Sequence, residues 1–191
     1  MTLRPDFRRA GASAFSLVEL MVSATIVSFV TVGFLTYMRY AGISALNVTN
    51  QAVYNQQAGN AATLIVQRTR LCHSFSVQNS GGTLVIDIDD DPTTDSDGDG
   101  NLYNDPDHQE TFQFSDADSD PATLTDNTLS YKPTATATAQ LLARRISRIG
   151  GANYFAATST KTVSLSFAVS GGDNSARGQR VEIISSASRL N

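Results

Sequence analysis

The chain has 191 residues, enough for one modest domain and an additional segment. A net charge of −4 argues against nucleic acid as a partner, and a single cysteine, Cys72, rules out an internal disulfide. Residues 87–126 hold 14 acids and no Lys or Arg, whereas the first 14 residues carry Arg4, Arg8 and Arg9 against Asp6.

Residues 1–14 are basic and rich in small side chains. Residues 15–38 (FSLVELMVSATIVSFVTVGFLTYM) follow, 24 residues in which Glu19 is the only charge. About 20 mainly apolar residues suffice for a helix to cross a bilayer. The run ends at Arg39 and Tyr40, a cation and an aromatic suited to an interface, and the basic N-terminus is expected on the cytoplasmic side. A secretory signal has a shorter apolar core, about 7–15 residues, with its small-residue cleavage site after that core. Here the triplet Ala12–Ser13–Ala14 precedes the apolar run. A plain anchor helix explains the hydropathy but leaves Glu19 without a purpose, because a carboxylate in lipid is costly.

Residues 39–73 contain no proline and two glycines, Gly42 and Gly59. Apolar residues recur in steps of three and four at Ile43, Leu46, Val53, Tyr54, Ala58, Ala61, Ile65 and Cys72. Asn47, Asn50, Gln51, Asn55, Gln56 and Asn60 form the opposite, polar face. The membrane helix is therefore expected to continue as an amphipathic helix to about His73, roughly 80–90 Å in all at 1.5 Å per residue. Cys72 reads as a small apolar helix residue rather than a reactive thiol, and His73 as a helix C-terminal residue.

Beyond residue 73 the pattern becomes alternating. Residues 74–78 (SFSVQ) and 83–89 (TLVIDID) flank NSGG, a hairpin signal. Residues 110–115, 128–132, 162–169 and 180–185 also read as strands, with GGDNSARG as a turn or hairpin loop between the last two. Residues 139–150 (AQLLARRISRIG) suit either a short helix, with Leu142, Ile146 and Ile149 inward, or a strand. The fold class is α+β, one long N-terminal helix packed on a C-terminal antiparallel β-sheet.

A short basic leader, then FSLVELMV, then a long helix and a β-rich domain resembles the type IV pilin and type II secretion pseudopilin superfamily. The likeness covers the whole chain. It implies a pilin-like fold and four regions: a leader at 1–14, a transmembrane and assembly segment at 15–38, the amphipathic half of the helix at 39–73, and a globular domain at 74–191 with an acidic loop at 87–126. It also implies a prepilin peptidase that cuts between Ala14 and Phe15 and N-methylates Phe15. The family nearly always has glycine before the cut; here it is Ala14, the smallest available substitute. The mature chain, without three Arg and one Asp, would carry 11 basic and 17 acidic residues, a charge of −6.

Cleavage would free an α-amine on Phe15, normally protonated near neutral pH. In the family picture, Glu19 of an incoming subunit pairs with the amine of a neighbour, which offsets the burial cost of both and sets their register. Apolar packing of residues 15–38 would hold the filament core, with Gly33, Ser23, Ala24 and Ser28 allowing close helix approach. The alternative for Glu19 is an unpaired, protonated side chain near the headgroups. LLARRISRIGGANYF, TVSLSFAV and the terminal RVEIISSASRLN are similar to J-class minor pseudopilins and W-type minor pilins. The implied partners are the prepilin peptidase, other pilin or pseudopilin subunits and the bacterial inner membrane, with the C-terminal domain in the periplasm or outside the cell.

The stretch DDDPTTDSDGDGNLYNDPDHQE contains D-x-D-x-D-G at Asp95, Asp97, Asp99 and Gly100, the start of an EF-hand-type calcium loop. Asn101 would add its carbonyl. Position twelve is Pro106 rather than the bidentate glutamate, so Asp105 or Asp107 would close the shell. The alternative is a solvated acidic loop. The leading function is thus a structural minor (pseudo)pilin subunit; the runner-up is a calcium-dependent adhesin displayed on a pilus. Two histidines, one cysteine and scattered serines supply no nucleophile–base–orienter set, so enzymatic activity is not expected.

Overall fold

The computed structural model describes residues 16–89, 108–117, 126–171 and 180–189. The chain divides into two compact units, Met1–Ala45 and Leu46–Asn191. One helix, α1 (Leu17–Leu71, 55 residues), begins in the first and ends in the second.

In the first unit every described residue from 16 to 40 is exposed, including Leu17, Val18, Leu20, Met21, Phe29, Val30, Phe34 and Leu35. By length and composition α1 can cross a membrane. Four of its hydroxyls are compatible with lipid because they close on the helix itself. Thr25 donates to the Met21 carbonyl (2.8 Å), Ser28 to Ala24 (2.8 Å), Thr31 to Val27 (2.7 Å) and Thr36 to Val32 (2.8 Å). A polar group satisfied within its own helix leaves nothing for water to solvate.

In the second unit the last turns of α1 lie on two antiparallel sheets. The first has strand order β1 (Ser74–Gln78), β2 (Thr83–Ile88), β3 (His108–Ser115), β4 (Thr128–Lys132) and β5 (Gln140–Arg144), each paired to the next. A 3-10 turn, Asn79–Gly81, joins β1 to β2. The second sheet is built around β8 (Thr162–Ser170), paired along its length with β9 (Arg180–Ser188). The short strands β6 (Ile146–Ser147) and β7 (Phe155–Ala157) share its other edge. Phe114 of the first sheet stands 5.2 Å from Phe155 and 5.5 Å from Phe167 of the second, between ring centroids. The two sheets therefore share one core, which includes Ile65, Leu84, Ile86, Phe112, Leu129, Phe155 and Phe167.

The helix covers that core with Ala58, Ala61, Ala62, Ile65 and Thr69, while Cys72 follows just past its end. Small residues dominate this stripe, so backbone and sheet come close. One close approach is at Gly171, where an added Cβ would lie 2.8 Å from Gln51 Cβ and 2.9 Å from Gln51 Cα. The Gly171 N–H donates to Gln51 Oε1, and Gln51 Nε2 donates to Asn55 Oδ1 at 2.7 Å. At the other end of this segment, His73 N–H donates to the Asp87 carbonyl at 2.8 Å, and the Arg189 guanidinium donates to the His73 carbonyl.

The structure departs from the sequence pattern in three places. Gln51, expected on the polar face, is buried at 6% exposure because its amide serves the Gly171 backbone. Ile43, Leu46 and Val53, expected on the apolar face, are 51%, 65% and 46% exposed. The expected single sheet is two, and β7 had no clear pattern in three residues. For residues 139–150, where helix and strand were both open, the strand alternative holds: Arg145 adopts φ 59° after β5, and the chain passes to the other sheet as β6. The helix ends at Leu71, close to the expected end near His73. The expected GGDNSARG turn lies largely outside the described residues.

Candidate functional site

The start of α1 carries Glu19. Sequence alone left its local role open, and the geometry supplies one. Ser16 N–H donates to Glu19 Oε2 at 3.1 Å, and Glu19 N–H donates to Ser16 Oγ at 3.2 Å. This is a capping box, in which each side chain satisfies a backbone donor that the first helical turn leaves unpaired. The carboxylate also lies at the positive end of the helix dipole, where negative charge is favoured. Its sequence signature is S-x-x-E at residues 16–19. Ala14 and Phe15, the expected processing pair, lie outside the described residues.

Asp95, Asp97, Asp99, Asn101, Asp105 and Asp107 also lie outside them. What is described is the frame of their loop. β2 and β3 pair in register from Thr83↔Gln113 to Ile88↔His108, so the acidic stretch leaves and re-enters the sheet at adjacent ladder positions. Among the described residues no group of three or more His, Cys, Asp or Glu side chains is placed to hold a metal ion.

Just inside that frame sits a buried carboxylate that sequence reading passed over. Alternation along β3 puts Glu110 on the same face as Phe112 and Phe114, and its side chain is 2% exposed. Arg68, from α1, places a guanidinium nitrogen 3.5 Å from Glu110 Oε1, and His108 Nε2 lies 3.7 Å from the same oxygen. Tyr131 stands on β4, one ladder position across from Phe112, and its ring stacks on Phe112 at 4.8 Å. Burial pushes its phenol up to about 12, and a hydrogen bond to Glu110 and that carboxylate's charge push the same way. Cation, carboxylate and phenol thus tie α1 to the first sheet beside the mouth of the acidic loop. A period-two reading of HQETFQF would have exposed the inward glutamate.

Cys72 is buried, its thiol donates to the Thr69 carbonyl at 3.0 Å, and burial pushes its pKa up. These properties suit a packing residue rather than a nucleophile. Comparison of the chain with family models, curated proteins and solved structures gives no match.

Proposed function

We propose that this chain is a structural minor subunit of the type IV pilin and type II secretion pseudopilin class. In this reading a prepilin peptidase cuts it between Ala14 and Phe15, and the mature chain is inserted by α1 in the bacterial inner membrane. It then joins other subunits in a pseudopilus or pilus that serves secretion or pilus biogenesis. The observation that carries the reading is the start of α1. A lone carboxylate, Glu19, sits in the first turn of a helix whose apolar side chains from Leu20 to Met38 are all exposed. Such a surface needs lipid or other helices, and such a carboxylate in lipid needs a partner.

The capping box engages Glu19 Oε2 with one backbone donor. A carboxylate has about four lone-pair sites, so it retains capacity for an ammonium group. The freed Phe15 amine of a neighbour would be that group, adjacent in sequence to the Ser16 cap. The acidic loop is proposed as a calcium site on the spacing of Asp95, Asp97 and Asp99, with its ends held by the Ile88↔His108 pairing.

The test is Glu19→Ala in the native host. The variant is expected to be processed and membrane-inserted like the parent but to be missing from sheared or cross-linked filaments. Normal incorporation of Glu19→Ala would overturn the pairing role, and a chain that is never cut after Ala14 would overturn the family reading.

A further inference from the structure

We propose that the second unit binds a neutral pyranose saccharide in a cavity of about 530 Å³ at the junction of its two sheets. The proposal does not rest on the pilin reading.

Four segments build the walls: the 3-10 turn after β1, the end of β3, the entry to β4, and the connection from β6 to β7. Backbone hydrogen bonds fix each of them. Phe114 N–H donates to the Gly82 carbonyl (2.8 Å), Arg145 N–H to Asn127 (2.8 Å) and Ser166 N–H to Tyr154 (2.9 Å). Gly81, at φ 79°, packs where a Cβ would strike Asn153 and the Phe155 carbonyl, which locks the turn against the β6–β7 connection. The site is thus preformed, which lowers the ordering cost of binding.

Its chemistry narrows the ligand. Gln113 and Asn127 each offer an amide that both donates and accepts, and Asn79, whose Nδ2 donates to Thr83 Oγ1 at 3.0 Å, adds its amide oxygen. Sugar hydroxyls have that same dual character. Asn127 is 4% exposed, and its Oδ1 has no hydrogen-bond partner among the described residues, a costly arrangement for a buried amide. Asp116 and Arg148 are the two ionised side chains in the wall and cancel in charge, which disfavours a phosphorylated or strongly anionic ligand. One apolar element remains. Tyr154 stacks on Phe114 at 3.9 Å, and the Arg148 guanidinium lies 5.2 Å from the Tyr154 ring centre. Both faces of that ring are covered, so it meets a ligand by its edge. Pockets of roughly 300–1,000 Å³ with a few convergent polar groups are the usual dimensions of small-ligand sites.

The experiment uses the full chain in lauryldimethylamine oxide micelles, a detergent without a sugar headgroup. Saturation-transfer NMR is recorded with methyl glucoside, methyl galactoside, methyl mannoside and N-acetylglucosamine, with N-acetylneuraminic acid as the anionic control. At least one neutral sugar is expected to receive saturation. Gln113→Ala and Arg148→Gln change exposed side chains and preserve the fold. Each is expected to weaken binding roughly two- to tenfold, the loss of one polar contact. Three results would each overturn the proposal: no transfer to any neutral sugar, transfer to N-acetylneuraminic acid alone, or binding that neither substitution changes.

Discussion

The close approach of α1 to Gly171 makes a quantitative prediction for Gly171→Ala. The new Cβ would sit 2.5 Å from Gln51 Oε1, 2.8 Å from Gln51 Cβ and 2.9 Å from Gln51 Cα. Carbon atoms prefer about 3.5–4.0 Å. The amide could swing aside, but Cα and Cβ belong to the helix and move only if helix or strand end moves. Overpacking of this kind costs about 1–3 kcal/mol. Displacing the amide also loses the Gly171 N–H to Gln51 Oε1 bond, worth about 1 kcal/mol. The expected loss is therefore about 2–4 kcal/mol, or a fall of about 1–2 M in the urea midpoint at a slope near 2 kcal/mol/M. The assay is urea unfolding of the chain in detergent micelles, followed by near-ultraviolet circular dichroism. Adding Gln51→Ala should restore little, because the offending Cα and Cβ remain. Gly59→Ala is the control: it is an exposed helical position with nothing within 4 Å of the added methyl, and it should stabilise by about 0.5–1 kcal/mol. If Gly171→Ala shifts the midpoint no more than experimental scatter, the helix does not approach the strand end as described.

The Tyr131 phenol, pushed up to about 12 from an ordinary 10, contributes stability that is complete below pH 10 and lost as pH rises through about 12. Ultraviolet titration of the parent minus Tyr131→Phe should show that late step, and a difference midpoint near 10 would refute the buried pairing with Glu110. Ser16→Ala removes half of the capping box and should cost about 1 kcal/mol at the helix start, speeding amide exchange in the first turn about fivefold, with Ser16→Thr close to the parent. Equal exchange in all three would show that the box does not form in solution. Calcium titration of the chelator-stripped chain should release or absorb heat and raise the melting temperature, and Asp97→Asn with Asp99→Asn should abolish both; no heat in the parent would leave a solvated acidic loop.

Strands β2, β3 and β4 were legible because one face of each is buried, and burial imposes a period of two. Five expected strands begin at the same residue as β1, β2, β4, β8 and β9. What escaped detection was decided by single long-range contacts or by backbone geometry. Gln51 looks like a solvent residue until Gly171, 120 positions away, presents an N–H that needs an acceptor. Arg145 looks like any helix former until its positive φ redirects the chain from one sheet to the other. Composition reports neither, because both depend on where a distant strand runs. Glu110 is the intermediate case: its face was readable from alternation, but its partners Arg68 and Tyr131 come from separate elements. Of the candidate site, the sequence placed Glu19 in the first turn of a long helix; the reciprocal bond with Ser16 needed coordinates.

That bond changes the physical account of Glu19. The box uses one lone-pair site of Oε2 and leaves the others open, so the cap and the proposed pairing can coexist on the same carboxylate. It also separates two variants that charge alone would treat as similar. Glu19→Gln keeps a side-chain oxygen that can accept from Ser16 N–H, and so keeps the box. It loses the charge that an ammonium partner requires. If assembly depends on the pair, Glu19→Gln should retain slow exchange in the first turn and yet fail to enter filaments, whereas Ser16→Ala should show fast exchange and enter at a reduced level. Filament entry by Glu19→Gln at the parental level would mean that the cap, not the charge, is what the glutamate is there to provide.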